Sequence, residues 1–319
     1  MIKIGIIGSR KQANRIGAVI QSLKKFEWVW CFDPGDYTTW EDTYFSDEYN
    51  AFLKQVDSVF ICRDTNKAEA LIERAIYHFK HVFMDGLWTH QVHSLRDWQT
   101  LIYEAGIVFH SGNQLSASPV FLSVWPYLKN CKLVEINISQ SFSSSSNFTQ
   151  LLNQGIEMAL KTINGGVKSI SKSESNLFGL DFPERFALWI ESHGGTTAQI
   201  SMQHHNEEPS ITASFASHNK IFEVDFLTHK VWELKKNTSN CQAGVLFNNQ
   251  KGLELQNVIP QIQKVQRQVI YFNSLSKELL NFWDNITHNL SPLTGIYELV
   301  EVSVISDQIY PKSGSLQYT

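Results

Sequence analysis

The sequence predicts an α/β protein of two units: a doubly wound parallel sheet, followed by an α/β unit with a large, open, mostly antiparallel sheet. Three observations carry this reading. The first 115 residues alternate short apolar runs with helix-period stretches, the pattern of repeated strand-helix-strand units. From Val167 to about Phe247 the residues alternate apolar and polar, as strands with one wet face do. The length of 319 residues, at roughly 150 residues per domain, favours two domains over one.

Ile2 to Ile7 reads as a buried strand, and Ile16, Val19, Ile20 and Leu23 mark one face of a helix running to about Lys25. Glu27 to Phe32 is a second strand, stopped by Asp33-Pro34-Gly35. A helix around Tyr49 to Val56, a strand Ser58 to Cys62, a helix Lys67 to Phe79, a strand His81 to Met84, a helix His93 to Ala105 and a strand Ile107 to Phe109 complete the first unit. Composition changes beyond about Ser111, which places the division at residues 1–115 and 116–319. A helix from Ser118 to Leu128 then leads to a strand from Leu133 to Ser139. The serine-rich Ser139 to Ser146 reads as a loop, and Asn147 to Asn164 as a helix ended by Gly165-Gly166. The runs VKSISKS, RFALWIES, TAQISMQ, SITASFA, KIFEVDF and KVWEL give the strands of the second sheet. The last 60 residues return to helix period, with Leu275, Leu279, Leu280, Trp283 and Ile286 as one stripe and Ile296, Leu299, Val300 and Val304 as another.

Hydrophobic residues make up 43% of the chain, enough for a sizeable core, and the formal charge of -4 supplies no footprint for a phosphate backbone. Nucleic acid is therefore not an expected partner. No apolar run approaches the roughly 20 residues needed to cross a bilayer. The start MIKIGIIGSRK interleaves its charges with its apolar residues, unlike a signal peptide, so neither membrane nor export is expected and the cytoplasm is. Cys31, Cys62, Cys131 and Cys241 stand far apart and read as reduced, mostly buried thiols.

The turn after the first strand is Gly8-Ser9-Arg10-Lys11-Gln12-Ala13, where a dinucleotide binder shows G-x-G-x-x-G. Gly8 supplies the first glycine, and Ala13 is small enough for the third position. Arg10 stands where a second glycine would let the backbone approach the pyrophosphate. Two readings follow: the helix N-terminus with Arg10 and Lys11 attracts phosphate, or the Arg10 side chain fills the phosphate space and the cofactor is absent. Asp33, ending the second strand, can accept hydrogen bonds from ribose hydroxyls, which favours NAD over NADP.

Taken in order, KIGIIG at Lys3 to Gly8, CFDP at Cys31 to Pro34, KHVF at Lys80 to Phe83, Pro119-Val120-Phe121, LNQGIE at Leu152 to Glu157 and SPLTGIYE at Ser291 to Glu298 resemble the landmarks of the glucose-fructose oxidoreductase / inositol dehydrogenase (Gfo/Idh/MocA) family. The resemblance implies a Rossmann domain, a C-terminal open-sheet domain, and NAD(P)-dependent oxidation or reduction of sugar-like or other small carbonyl and hydroxyl substrates. It also implies a homodimer or homotetramer through the C-terminal sheet. It departs at the chemistry. The family's Glu-Lys-Pro after KHVF is here Asp85-Gly86-Leu87, and in its Asp-x-Gly-x-His pattern, anchored on Gly155, Asn153 replaces the aspartate and Glu157 the histidine. The resemblance thus leaves Glu157, Asp85 and Asn153 as the catalytic candidates, with Gly8, Ser9, Arg10, Lys11, Ala13 and Asp33 on the cofactor. Positioned acid-base catalysis is worth about 10²- to 10⁴-fold, so a catalytically silent, ligand-binding relative is the alternative.

Two further groups attract attention. His204-His205 with Glu207-Glu208 resembles a metal set, but neighbouring residues on a strand point to opposite faces, so a polar strand end is expected. Trp88, His90 and His93 follow Asp85-Gly86 and would stand near a cleft mouth, where Trp88 could stack on a sugar ring.

Overall fold

Short, almost wholly apolar runs produce strands buried on both faces, as at residues 4–7, 58–61 and 82–84, while the edge strand over 26–32 leaves Glu27 and Trp30 exposed. The computed structural model describes residues 1–33, 43–62, 68–87, 92–176, 179–205, 207–218, 220–236 and 262–310. Strands β1 (Ile2–Ile7), β2 (Phe26–Phe32), β3 (Ser58–Ile61), β4 (His81–Met84) and β5 (Phe109–Ser111) form one parallel sheet in the order β2-β1-β3-β4-β5. Its connections are helices α1 (Arg10–Leu23), α2 (Thr43–Leu53), α3 (Ala68–Tyr77) and α4 (Val92–Ala105). Strand β5 lies two residues later than the periodicity placed it. Its last residues, His110 and Ser111, are polar yet wholly buried, so hydropathy stopped the strand too early.

The second sheet has eight strands: β6 (Leu133–Gln140), β7 (Val167–Ser175), β8 (Arg185–Ser192), β9 (Thr197–His204), β10 (Ser210–Ala216), β11 (Lys220–Asp225), β12 (Lys230–Lys236) and β13 (Ile262–Arg267). Their order is β13-β12-β11-β10-β6-β9-β8-β7, antiparallel throughout except for the β6–β9 pair. Strand β13 lay in a segment read as helical. Its sequence IQKVQR offers too few apolar residues to show a period, and an ion pair from Lys264 to Glu223, 2.6 Å, holds it to the sheet.

One face of this sheet is covered by α5 (Pro119–Val124), a 3₁₀ turn at Trp125–Tyr127, and α6 (Ser145–Thr162). Helix α6 starts within the serine run, because Ser144 serves as its N-cap and accepts a hydrogen bond from the Asn147 N–H at 3.2 Å. Gly155 lets α6 approach β9 closely: a Cβ there would stand 3.3 Å from Ile200 Cγ2.

The last helices, α7 (Ser274–His288) and α8 (Ile296–Ile309), return to the first sheet. Leu279 and Phe282 of α7 share a core with Ile4, Ile6, Ala13 and Phe83. On the other face Ile296 and Leu299 of α8 pack with Val59, Leu71, Leu95 and Trp98, while Val302, Ile305 and Ile309 reach the core under the second sheet. Helix α8 therefore ties the two sheets together, and α6 is brought against the C-terminal ends of β4 and β5.

Candidate functional site

In a doubly wound sheet the crevice lies beyond the C-terminal ends of the strands, where the winding reverses. Here that point lies between β1 and β3, and Gly8 and Cys62 face each other across it. Gly8 has φ of +151°, a backbone state that favours glycine. A Cβ at Gly8 would lie 2.7 Å from Cys62 Cβ and 2.9 Å from its Sγ, so the first glycine is fixed by packing as well as by conformation. Burial, and then the Asp85 carboxylate, push the Cys62 thiol up to about 12, which places Asp85 beside this contact.

Ser9 caps α1 in a reciprocal box: the Ser9 hydroxyl accepts from the Gln12 N–H at 3.4 Å, and Gln12 Oε1 accepts from the Ser9 N–H at 3.1 Å. Gln12 was not among the sequence candidates, although S-x-x-Q ahead of an apolar stripe is the signal that would have found it. Arg10 and Lys11 are exposed, and Ala13 is buried under the helix. Burial and then the Asp33 carboxylate raise the Cys31 thiol, while the Arg10 guanidinium acts the other way. The side chain nearest the turn's own donors is thus Gln12 rather than Arg10.

The other side of the crevice is the loop Asp85-Gly86-Leu87 and the polar stripe of α6. Asp85 is buried, and its N–H donates to the Ile61 carbonyl at 2.9 Å. Gly86 is pinned by the Ser111 hydroxyl, which donates to its carbonyl at 3.0 Å. The Asn153 Nδ2 donates to the Leu87 carbonyl at 3.3 Å, so the structure brings Asn153 to the loop that carries Asp85. Among the described residues Asn153 Oδ1 is buried without a partner, as is Nε2 of Gln150 one helical turn earlier.

Glu157 is 1% exposed and engaged at both oxygens. Its Oε1 is paired with Lys161 and accepts from the Thr294 hydroxyl at 2.7 Å, while Oε2 accepts from Asn113 Nδ2 at 2.5 Å. The Asn113 N–H in turn donates to Glu278 Oε1 of α7 at 2.5 Å, and Glu278 stands 3.9 Å from His110 Nε2. His110, wholly buried, stacks on Phe83 with ring centroids 4.7 Å apart. One network therefore joins α6, α7, β5 and the residues ahead of α8. Lys161 was missed although a Glu-Lys pair four apart on a predicted helix is a local signal; Asn113, Glu278 and Thr294 gave none, since only the return of the C-terminal helices brings them together.

The remaining candidates lie elsewhere. His204 Nδ1 accepts from the Phe142 N–H at 3.0 Å and His205 Nδ1 from the Glu207 N–H at 2.9 Å. Among the described residues no three His, Cys, Asp or Glu form a metal-binding group. His93 is exposed and pairs with Asp97 at 3.2 Å. Trp88, His90 and Cys241 lie outside the described residues.

No protein-family model and no curated protein matches the chain. Solved structures do. UDP-N-acetylglucosamine 3-dehydrogenase from Acidithiobacillus ferrooxidans is similar with a TM-score of 0.77 at 15% identity, over 96% of each chain. This chain has the fold of such dehydrogenases. A dehydrogenase from Clostridium difficile gives a TM-score of 0.75 at 15% identity, over 97% of this chain and 98% of that one. Levoglucosan dehydrogenase, in complex with NADH and L-sorbose, gives 0.73 at 11% identity over 97% and 95%. The dehydrogenase fold thus spans both sheets and the returning helices. Among the described residues no helix is long and apolar enough to cross a membrane.

Proposed function

We propose that the protein is a nicotinamide-nucleotide-dependent oxidoreductase of the Gfo/Idh/MocA type, acting on a small hydroxyl or carbonyl compound of sugar-like character. The observation that carries the reading is the crevice itself. Gly8 is held in a glycine-only turn at the head of α1, Asp33 ends the neighbouring strand, and Asn153 faces the loop after β4, all at the strand ends where this fold binds its ligands. The residues fit a dinucleotide. Ser9, Arg10 and Lys11 would meet its phosphates at the helix N-terminus, and Asp33 would accept from the ribose hydroxyls, which favours NAD over NADP. When bound, the nicotinamide supplies hydride transfer. A homodimer or homotetramer through the open face of the second sheet belongs to the same reading.

Asn153 is assigned to hold the ligand and Asp85 is the carboxylate assigned to proton exchange. Glu157 is assigned as a positioning residue: to take a proton from a ligand it would have to release Lys161 or Asn113. A second reading, a ligand-binding protein without turnover, is favoured by that engagement of Glu157 together with glycine at position 86. Calorimetry with NADH, followed by a panel of sugars and cyclitols read by nicotinamide absorbance, separates the two. Binding with turnover whose pH profile survives Glu157→Gln supports the first reading. Binding without turnover supports the second, and no binding at millimolar NADH sinks both nucleotide readings.

A further inference from the structure

The inward stripe of α6 consists of Gln150, Asn153 or Gln154, Glu157 and Lys161, each step three or four residues and so on one face of the helix. From the C-terminal end this stripe is closed by its own bonds. Lys161 reaches the Ser116 hydroxyl at 3.2 Å and the Thr294 hydroxyl at 3.0 Å, and Glu157 and the Gln154 carbonyl are met by Asn113. Bonding stops at Asn153. Its amide is oriented by the Leu87 carbonyl, which takes Nδ2 and leaves Oδ1, among the described residues, as a buried acceptor without a donor. Gln150, 8% exposed, likewise leaves Nε2 as a buried donor without an acceptor among the described residues. Buried polar atoms are nearly always hydrogen-bonded, so two orphans one turn apart on a single face call for a missing partner.

We propose that Gln150 is a specificity-determining residue, which together with Asn153 selects an uncharged ligand group that both donates and accepts, such as a hydroxyl. An acceptor and a donor one helical turn apart on a single face can satisfy a hydroxyl in both senses. A carboxylate would face the Asn153 oxygen with no proton to give, and an ammonium would face the Gln150 N–H with no lone pair to offer. This selection rests on the crevice being the ligand site in the reading above, and it adds the charge state of the ligand at α6 and a residue that the sequence landmarks do not contain.

D-Glucose, D-gluconate and D-glucosamine, matched in size but neutral, anionic and cationic, are the probes. Their affinities are measured by ligand-observed NMR with the full chain, with and without saturating NADH. Glucose should bind at least about tenfold more tightly than either charged relative, and Gln150→Leu should lower its affinity by about tenfold, the worth of one buried hydrogen bond. The same substitution should leave NADH affinity unchanged and the ligand-free thermal midpoint equal or higher, because it removes an unsatisfied buried amide. Equal binding of the three probes, preference for a charged one, binding of none, or a Gln150→Leu protein that keeps wild-type glucose affinity would each overturn the proposal. If NADH fails to bind but glucose still binds in a Gln150-dependent manner, the ligand site stands and the dehydrogenase reading falls.

Discussion

At the β1–α1 turn, the groups a nucleotide would meet lie near the surface: Ser9, Arg10 and Lys11 are exposed, and Asp33 is half-buried at the neighbouring strand end. Along α6, a few residues from the same crevice, Asn153, Gln154 and Glu157 are buried and bonded chiefly to protein. The first region is shaped by backbone. Gly8 is required by its φ and by the Cys62 contact whatever the ligand. The second is shaped by side-chain bonding, and its carboxylate has been drawn into the architecture. The backbone of the turn and the side-chain bonding of α6 are therefore separable, and each can be disturbed alone.

The largest effect is expected on the α6 side. Glu157→Ala leaves the Lys161 ammonium, mostly buried, without its carboxylate and strips the Asn113 amide of an acceptor. Breaking a buried pair from one side costs about 3–5 kcal/mol. Urea unfolding should show that loss, and a Glu157→Ala/Lys161→Met protein should recover part of it. A loss below about 1 kcal/mol would mean the network does not hold α6.

Gly8→Ala should come next, at about 2–3 kcal/mol, from a strained backbone and a Cβ against Cys62. Unlike Glu157→Ala, it should also abolish NADH binding in the protein that remains folded. If the alanine protein binds NADH as the wild type does, the two regions are not divided as described.

A smaller effect, in a region outside the crevice, calibrates both. Burial lowers the His81 imidazole below its ordinary 6.5, and Nδ1 accepts the Val108 N–H at 2.9 Å, a bond that the neutral ring makes. A histidine with a depressed folded value contributes stability that is complete above 6.5 and declines as the pH falls through that value toward the folded one. Wild-type urea midpoints should therefore fall between about pH 7 and about pH 5 more steeply than those of His81→Gln. Parallel slopes would show that His81 does not titrate differently on folding.

Much of the frame was legible because its signals are local. The apolar runs of β1, β3 and β4 and the alternation of β8 to β12 each announce a strand without reference to the rest of the chain. Gly8 and Asp33 were legible for the same reason, sitting at fixed offsets from a strand end. What escaped depends on distance. The stripe of Leu275, Leu279 and Trp283 says that a helix is covered, but not that α1 and β1 cover it, so the Glu278–Asn113 bond cannot be foreseen. Glu157 and Lys161 stand four residues apart on one helix, a local pair, but Thr294 lies 137 residues away. The orphan atoms of Gln150 and Asn153 belong to the same class: only a complete account of neighbours shows that a partner is missing.

Paired titrations of NADH and NADPH against the wild type and Asp33→Ala test the nucleotide crevice most directly. The account predicts that the wild type binds NADH at least about tenfold more tightly than NADPH, because Asp33 accepts from the ribose hydroxyl and repels a phosphate there, and that Asp33→Ala erases the difference. Failure of both nucleotides to bind at millimolar concentration, or equal affinities that Asp33→Ala leaves unchanged, would contradict it.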